Sequence, residues 1–143
     1  MKYWDTSALV PLVIAEPESD RVREWLRNDP LIVTWAWTRV ELVSAVERRA
    51  RQGQLTRAQR RACFERFESM AFQWDEVTDL LSVRSKALPL LARYPLRAAD
   101  AAQLAAALLV AEEEPSSLEF LSLDERLGAA AEREGLLVPS SSE

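Results

Sequence analysis

Short apolar runs alternate with longer stretches of helical periodicity along this chain of 143 residues. Five runs of three to six residues, each next to a turn, an acid or a proline, predict strands at 2–4, 31–35, 72–77, 120–123 and 136–138. The stretches between them predict helices at 19–28, 38–52, 56–70, 79–93, 98–113 and 125–134. Strands separated by helices need crossover connections, so we expect an α/β fold with a mostly parallel sheet covered by helices on both faces.

Two of these helices show their buried faces in the sequence. The pattern places Val43, Val46 and Ala50 on one face of the helix at 38–52. In the helix at 98–113 it turns Ala101, Leu104, Ala105 and Leu108 inward.

The length and the residue usage indicate one domain over 1–138, followed by a flexible tail at 139–143 that contains three consecutive serines. A chain of this size buries roughly 70% of its unfolded surface, so it needs neither disulfides nor a structural metal. The single cysteine, Cys63, has no internal partner, and no apolar run approaches the ~18 residues of a membrane span. We therefore expect a cytoplasmic protein with no membrane partner.

The residue types that are missing exclude several kinds of chemistry. The chain has no histidine and one cysteine, which excludes Ser-His-Asp and Cys-His nucleophiles and both histidine and thiolate zinc sites. Its three glycines lie too far apart for a dinucleotide or Walker loop. With 23 acidic residues among the charged side chains, what remains is carboxylate chemistry with a hard metal ion, or no chemistry at all.

The charge is unevenly distributed, although the net charge is only −5. Residues 48–66 contain seven arginines and one glutamate, so the rest of the chain is strongly acidic. This segregation is compatible with a basic rim beside an acidic cleft. It is equally typical of two solvated helix faces.

Four acidic residues occupy related positions in the predicted sheet. Asp5 and Asp124 each lie where a strand is followed by a helix, Glu41 lies in the first turn of the helix after the second strand, and Asp100 opens the helix at 98–113. In an open parallel sheet such junctions share the carboxyl edge, where these folds bind ligands. We therefore expect the four carboxylates to converge on one cleft.

Each acid also has a purely structural interpretation. Asp5, Asp100 and Asp124 are suitable helix N-caps, and Thr38-Arg39-Val40-Glu41 matches the capping-box pattern. The four acids taken together favour a metal site, because crowded carboxylates without a basic partner repel one another and usually bind a cation.

Four blocks of the sequence, in order, resemble the PIN domain family, and within it the VapC-type toxins of toxin–antitoxin pairs. The blocks are DTSALV at 5–10 with AEP at 15–17, TRVEL at 38–42, LRAADAAQLA at 96–105, and FLSLDERL at 120–127 with AAA at 129–131 and GL at 135–136. The resemblance covers nearly the whole chain. It implies a three-layer α/β/α sandwich with a mostly parallel central sheet.

The resemblance also implies a function, namely that of a divalent-metal-dependent endoribonuclease acting as the toxin of a type II pair. Asp5, Glu41, Asp100 and Asp124 match the family's acidic positions, as catalytic and metal-binding residues. Ser7 and Ser122 would place hydroxyl groups near the metal or its waters. The implied cofactor is Mg²⁺ or Mn²⁺, and the implied partners are an RNA substrate, a cognate antitoxin and a second copy of the chain packed through helices.

The chain departs from many VapC-type toxins at Pro11, where they carry lysine. Candidate RNA contacts that could replace this basic group are Arg39, Arg57, Arg60 and Arg61. Trp35 and Trp37 are candidates for base stacking, or else for packing in the core or at a dimer interface.

Two rival functions remain open. The first is a PIN-like module that binds protein or RNA without catalysis. The second is a phosphoacceptor receiver domain, for which Lys2 and Lys86 are poorly placed as the required cleft lysine.

Overall fold

The computed structural model describes residues 1–139, so most of the predicted tail, 140–143, lies outside the described residues. The elements follow one another as β1 (Lys2–Trp4), α1 (Thr6–Val13), α2 (Ser19–Asn28), β2 (Ile32–Trp35), α3 (Thr38–Arg51), α4 (Arg57–Gln73), β3 (Asp75–Val77), α5 (Leu80–Arg93), α6 (Ala98–Ala111), a 3₁₀ turn (Pro115–Ser117), β4 (Phe120–Leu121) and α7 (Glu125–Arg133). No helix within residues 1–139 combines the length and the apolar character needed to cross a membrane.

The sheet has the order β3-β2-β1-β4, and every neighbouring pair is parallel. Tyr3 pairs with Val33 of β2 on one side and with Phe120 of β4 on the other. The chain therefore proceeds outward from β1 through β2 to β3, and returns to the opposite side of β1 only with β4. This reversal opens a crevice at the carboxyl ends of β1 and β4, the position where open α/β sheets bind ligands.

Tyr3 and Trp4, adjacent residues of β1, are buried in two different hydrophobic cores. Tyr3 is fully buried and stacks on Phe120, with ring centroids 5.4 Å apart, on the face covered by α5, α6 and α7. Trp4 is fully buried on the other face, edge-on to Trp25, among side chains of α1, α2, α3 and α4. Because successive side chains of a strand point to opposite faces, the two cores confirm the α/β fold with helices on both sides of a parallel sheet.

Several predicted boundaries and faces differ from the structure. The strand predicted at 72–77 begins only at Asp75, because the hydrogen bonds of α4 continue to Trp74 and leave Phe72 91% exposed. The strand predicted at 136–138 is reduced to a single bridge between Glu119 and Leu137. On α3 the buried residues include Leu42 and Val46, whereas Val43 is exposed.

The predicted inward face of α6 is confirmed. Ala101, Leu104, Ala105 and Leu108 are all buried, and α6 packs against α5 and β2. Gln103 is buried beside them, at only 2% exposure, which the pattern of apolar residues did not predict.

Candidate active site

The four predicted acids line one cavity of about 390 Å³ at the carboxyl edge of the sheet. Asp5, Glu41, Asp100 and Asp124 share this cavity, here called the acidic cleft, with uncharged side chains that include those of Thr6, Ser7 and Gln103. The acids come from the starts of α1, α3, α6 and α7, and the first and last of them are more than a hundred positions apart in the sequence. Their convergence agrees with the geometry expected from a parallel sheet.

Asp5 is the most buried of the four, with 3% of its surface exposed. It is the N-cap of α1, where one carboxylate oxygen accepts from the backbone N–H of Ser7 and the other accepts from the Ser7 hydroxyl at 3.1 Å. The pKa of Asp5 is raised to about 7, chiefly by burial; the nearby charge of Glu41 adds to the rise, and the hydrogen bonds from Ser122 and Ser7 oppose it. Capping and a perturbed pKa therefore coexist at this residue.

Ser7 and Ser122 join the ends of β1 and β4. Their hydroxyl oxygens lie 3.2 Å apart, and the Ser7 hydroxyl also accepts from the backbone N–H of Leu123 at 2.9 Å. The Ser122 hydroxyl accepts from the backbone N–H of Asp124 at 3.0 Å. These bonds hold Asp5 and Asp124 beside one another across the crevice, which is a positioning function for both serines.

Glu41 does not form the capping box that the sequence suggested. Helix α3 starts from Trp37 as its N-cap, and the buried Thr38 hydroxyl bonds instead to the hydroxyl of Thr34 at 2.8 Å. The Glu41 carboxylate accepts from the Thr6 hydroxyl at 2.8 Å and from the amide of Gln103 at 3.4 and 3.5 Å. Burial raises the pKa of Glu41, and the charge of Asp100 adds to this effect. Hydrogen bonds to residues distant in the sequence thus replace the capping box that the local motif predicted.

Gln103 is the site residue that sequence reasoning missed. Its amide nitrogen donates to the hydroxyls of Thr6 and Thr38, each at 3.0 Å, and its amide oxygen accepts from the Tyr3 hydroxyl at 2.6 Å. The available signal was a single polar residue on the apolar face of α6, which had to find partners if it was buried.

Asp100 and Asp124 are each held by the backbone N–H of an arginine. The capping interpretation was wrong for Asp100, because the N-cap of α6 is Arg97 and Asp100 lies three positions later, where it accepts from the Arg97 N–H at 3.3 Å. Arg126 N–H donates to Asp124 at 2.9 Å. A second bond from Leu127 N–H makes Asp124 the N-cap of α7, as the capping interpretation predicted. Burial raises the pKa of Asp100, and the charge of Asp124 raises it further.

The four carboxylates fit a hard divalent cation by chemistry and charge. None of them takes part in an ion pair within residues 1–139. In the same part of the chain, no three His, Cys, Asp or Glu side chains are arranged to hold a metal ion as they stand. The acids are instead coupled electrostatically in a series, Asp5 with Glu41, Glu41 with Asp100, and Asp100 with Asp124. Mg²⁺ is commonly bound by one or two carboxylates and several waters, which neighbouring members of this series can supply.

The four predicted RNA-contact arginines are not among the residues that line the acidic cleft. Arg39 forms an ion pair with Glu76, and Arg60 forms one with Glu47 at 2.6 Å. Arg57 and Arg61 are exposed on α4. The arginines that do line the cleft are Arg48 and Arg97.

The remaining sequence candidates near the site are apolar. Pro11, at the position where many VapC-type toxins carry lysine, is buried within α1. Of the two tryptophans considered for stacking, Trp35 is buried in the core and Trp37 is 60% exposed. Neither lines the acidic cleft.

Comparison with known proteins agrees with this architecture. The family model of the PIN domain matches residues 2–133. Ribonuclease VapC35 of Mycobacterium tuberculosis, from strains CDC 1551 and H37Rv, is 35% identical over 143 residues, covering 96% of this chain and 95% of the relative.

Solved structures share the fold at low sequence identity. FitAcB from Neisseria gonorrhoeae superposes with a TM-score of 0.67 at 20% identity, covering 98% of this chain and 97% of the other. PAE2754 from Pyrobaculum aerophilum superposes with a TM-score of 0.62 at 21% identity, covering 96% and 89% of the two chains.

Proposed function

The chain belongs to the PIN domain family, and on this premise we propose that it is a divalent-metal-dependent endoribonuclease, the toxin of a type II toxin–antitoxin pair. The observation that carries the proposal is the acidic cleft itself. Four carboxylates from four elements meet in it without an ion-pair partner among residues 1–139. The similarity to Ribonuclease VapC35 supplies RNA as the substrate.

In this proposal Asp5 and Asp100 would hold Mg²⁺ or Mn²⁺ directly, and Glu41 and Asp124 would act through water or hold a second ion. Such an ion would supply a water of lowered pKa as the nucleophile and would neutralise charge on the scissile phosphate. The Ser7 hydroxyl fixes the Asp5 carboxylate, and Thr6 and Gln103 fix that of Glu41, so that both acids face the acidic cleft. No side chain needs to form a covalent intermediate with RNA.

The main alternative is a PIN-like module that binds RNA or protein without cutting it. A purely structural cluster would benefit from neutralising partners, since burial already raises the pKa of Asp5, Glu41 and Asp100. The retention of four unpaired acids instead favours catalysis.

Two protein partners belong to the proposal. The first is a cognate antitoxin that covers the acidic cleft. The second is another copy of the chain, which would cover exposed apolar side chains of α5 and the start of α3. These side chains, each between 41% and 63% exposed, are Leu80, Leu81, Leu88, Leu91, Trp37 and Val40. Contiguous exposed apolar surface of this kind commonly marks an interface.

The decisive experiment incubates the purified protein with a mixed pool of single-stranded RNA, with Mg²⁺, with Mn²⁺ and with EDTA. Cleavage only in the presence of a divalent ion supports the proposal, and the Asp100→Asn variant controls for a contaminating nuclease. Cleavage that survives EDTA contradicts the metal-dependent mechanism. Metal binding and RNA binding without cleavage would favour the inactive module.

A further inference from the structure

A second cavity of about 550 Å³ opens directly beside the acidic cleft. It is lined by Pro95, Arg97, Asp100, Asp124, Glu125 and Arg126, and is here called the arginine cavity. Arg97, Asp100 and Asp124 line both cavities. The two therefore form one continuous groove, in which Asp100 and Asp124 lie at the junction.

The backbones of Arg97 and Arg126 are fixed at this junction, because their N–H groups donate to Asp100 and Asp124 respectively. Both side chains are exposed, and neither guanidinium forms an ion pair or a side-chain hydrogen bond within residues 1–139. By contrast, Arg39, Arg49 and Arg60 are each paired with a glutamate. The charge of Arg97 lowers the pKa of Asp100, but the groove holds two guanidinium groups without an ion-pair partner within residues 1–139.

A guanidinium without an ion-pair partner is free to bind an anionic ligand, and its planar fork matches the oxygens of a phosphodiester. Carboxylates alone repel the RNA backbone, so a substrate phosphate next to the scissile one needs a positive group near the acids. Arg97 and Arg126 line the cavity that adjoins Asp100 and Asp124. Arg48 lines the acidic cleft from α3 and offers a third basic group there.

We infer that the arginine cavity is a phosphate-binding subsite, in which Arg97 and Arg126 hold the backbone phosphate of single-stranded RNA that neighbours the cleavage point. This inference rests on the proposed nuclease function and deepens it. It assigns substrate binding to the starts of α6 and α7 rather than to Arg57, Arg60 and Arg61 of α4. The RNA strand then runs from the arginine cavity, over the acids, toward Arg48.

The test compares two double variants of equal charge change, Arg97→Gln/Arg126→Gln and the control Arg23→Gln/Arg133→Gln. The control residues are exposed and line neither cavity. The probe is a fluorescein-labelled single-stranded oligoribonucleotide in EDTA, with anisotropy read at several salt concentrations. Circular dichroism and thermal melting check that all variants remain folded.

The site variant should bind at least tenfold more weakly than the control. Because each lost phosphate contact reduces the salt slope for single strands by roughly 0.7, its slope should be flatter by about 1.4. An Arg97→Lys/Arg126→Lys variant keeps the positive charges but loses the planar guanidinium groups. The salt slope of its RNA binding should therefore remain, while its affinity for RNA falls. Cleavage by the site variant with Mn²⁺ should show a raised KM.

Equal affinity and slope in the site and control variants, with RNA still cut by the wild type, would overturn the subsite and leave the nuclease function intact. Unchanged RNA binding together with weaker antitoxin binding by the site variant would also overturn it, and would assign the groove to protein. If the wild type neither binds nor cuts any RNA, the proposed function fails first and the inference fails with it.

Discussion

The hydroxyl of Tyr3 donates a 2.6 Å hydrogen bond to the amide oxygen of Gln103, a buried contact between residues that are 100 positions apart. This bond fixes the orientation of the whole amide. Its nitrogen must face the other way, where it donates to Thr6 and Thr38. Thr6 already accepts from Gln103, so its own proton is directed to Glu41. One core tyrosine thereby determines the orientation of a site carboxylate.

Replacing Gln103 by Leu should destabilise the protein by about 2–4 kcal/mol, because buried hydroxyls left without partners cost about 1–3 kcal/mol each. Urea unfolding measures this loss. Cleavage should also become slower at a temperature where the variant is fully folded, since Thr6 and Glu41 lose a donor.

The matched control for that variant is Gln52→Leu, on the exposed C-cap of α3. It should change the stability by less than about 0.5 kcal/mol. If the two variants were equally stable, the network would not hold the site together.

The stability of the metal-free protein should fall as the pH rises from about 4 to about 7. Asp5 has a folded-state pKa of about 7, above its unfolded value, so the native state holds an extra proton in this window. Ionising the buried carboxylate then costs stability, on the order of 4 kcal/mol at most for this shift. The Asp5→Asn variant lacks that proton, and its stability should depend less on pH. Urea unfolding in EDTA across the pH range measures both profiles, and parallel profiles would contradict the prediction.

Asp5→Asn and Asp100→Asn should each separate capping from metal binding. Asparagine caps a helix about as well as aspartate but is a poorer metal ligand, so the metal-free variants should melt a few degrees higher while cleavage falls by orders of magnitude. Mg²⁺ should raise the melting temperature of the wild type more than that of either variant. Asp124→Asn should show the same pattern more weakly. Full activity in Asp5→Asn would refute the metal-site assignment.

Replacing Arg57, Arg60 and Arg61 by Gln tests the arginine-rich segment. Each of these residues that contacts a phosphate should reduce the salt slope of RNA binding by roughly 0.7 when it is lost. Because Arg60 is already paired with Glu47, we expect a smaller reduction than three contacts would give. An unchanged slope would identify the segment as solvent-exposed surface, and a pull-down would then show whether it binds the antitoxin.

Leu81→Arg combined with Leu88→Arg should convert a dimer into a monomer, because both side chains belong to the exposed apolar surface of α5. Light scattering after gel filtration measures the mass. Leu31→Arg is the control, since Leu31 is equally exposed but lies just before β2, outside α5 and the start of α3. A monomeric wild type would contradict the dimer.

The sequence was sufficient to predict features that follow from local periodicity. Asp5 and Asp124 could be located at one sheet edge, because parallel strands share a carboxyl end whatever their order. Gln103 could not be assigned a role, since its partners Tyr3, Thr6 and Thr38 come from three other elements. The same limitation explains the capping-box error at Glu41.

The prediction of RNA contacts from the charge distribution had the same limitation. The arginine-rich segment was conspicuous in the sequence, yet Arg49 and Arg60 of that segment are paired with glutamates that lie outside it. Arg97 and Arg126 stand singly in the sequence and become neighbours only through the packing of α6 and α7. Ion pairing and proximity are tertiary properties, which a one-dimensional count of charges does not contain.

The position of β1 between β2 and β4 also determines when, during synthesis of the chain, the acidic cleft can form. The Asp5 N–H bonds to the carbonyl of Leu121, so the crevice beside the first acid closes only after almost the whole chain has been made. Parallel pairings between such distant segments form late, because a long loop must close first. A ribosome that has not yet translated Leu121 and Asp124 therefore carries no assembled acidic cleft. An antitoxin that covers the cleft would have nothing to bind until these residues have folded against β1.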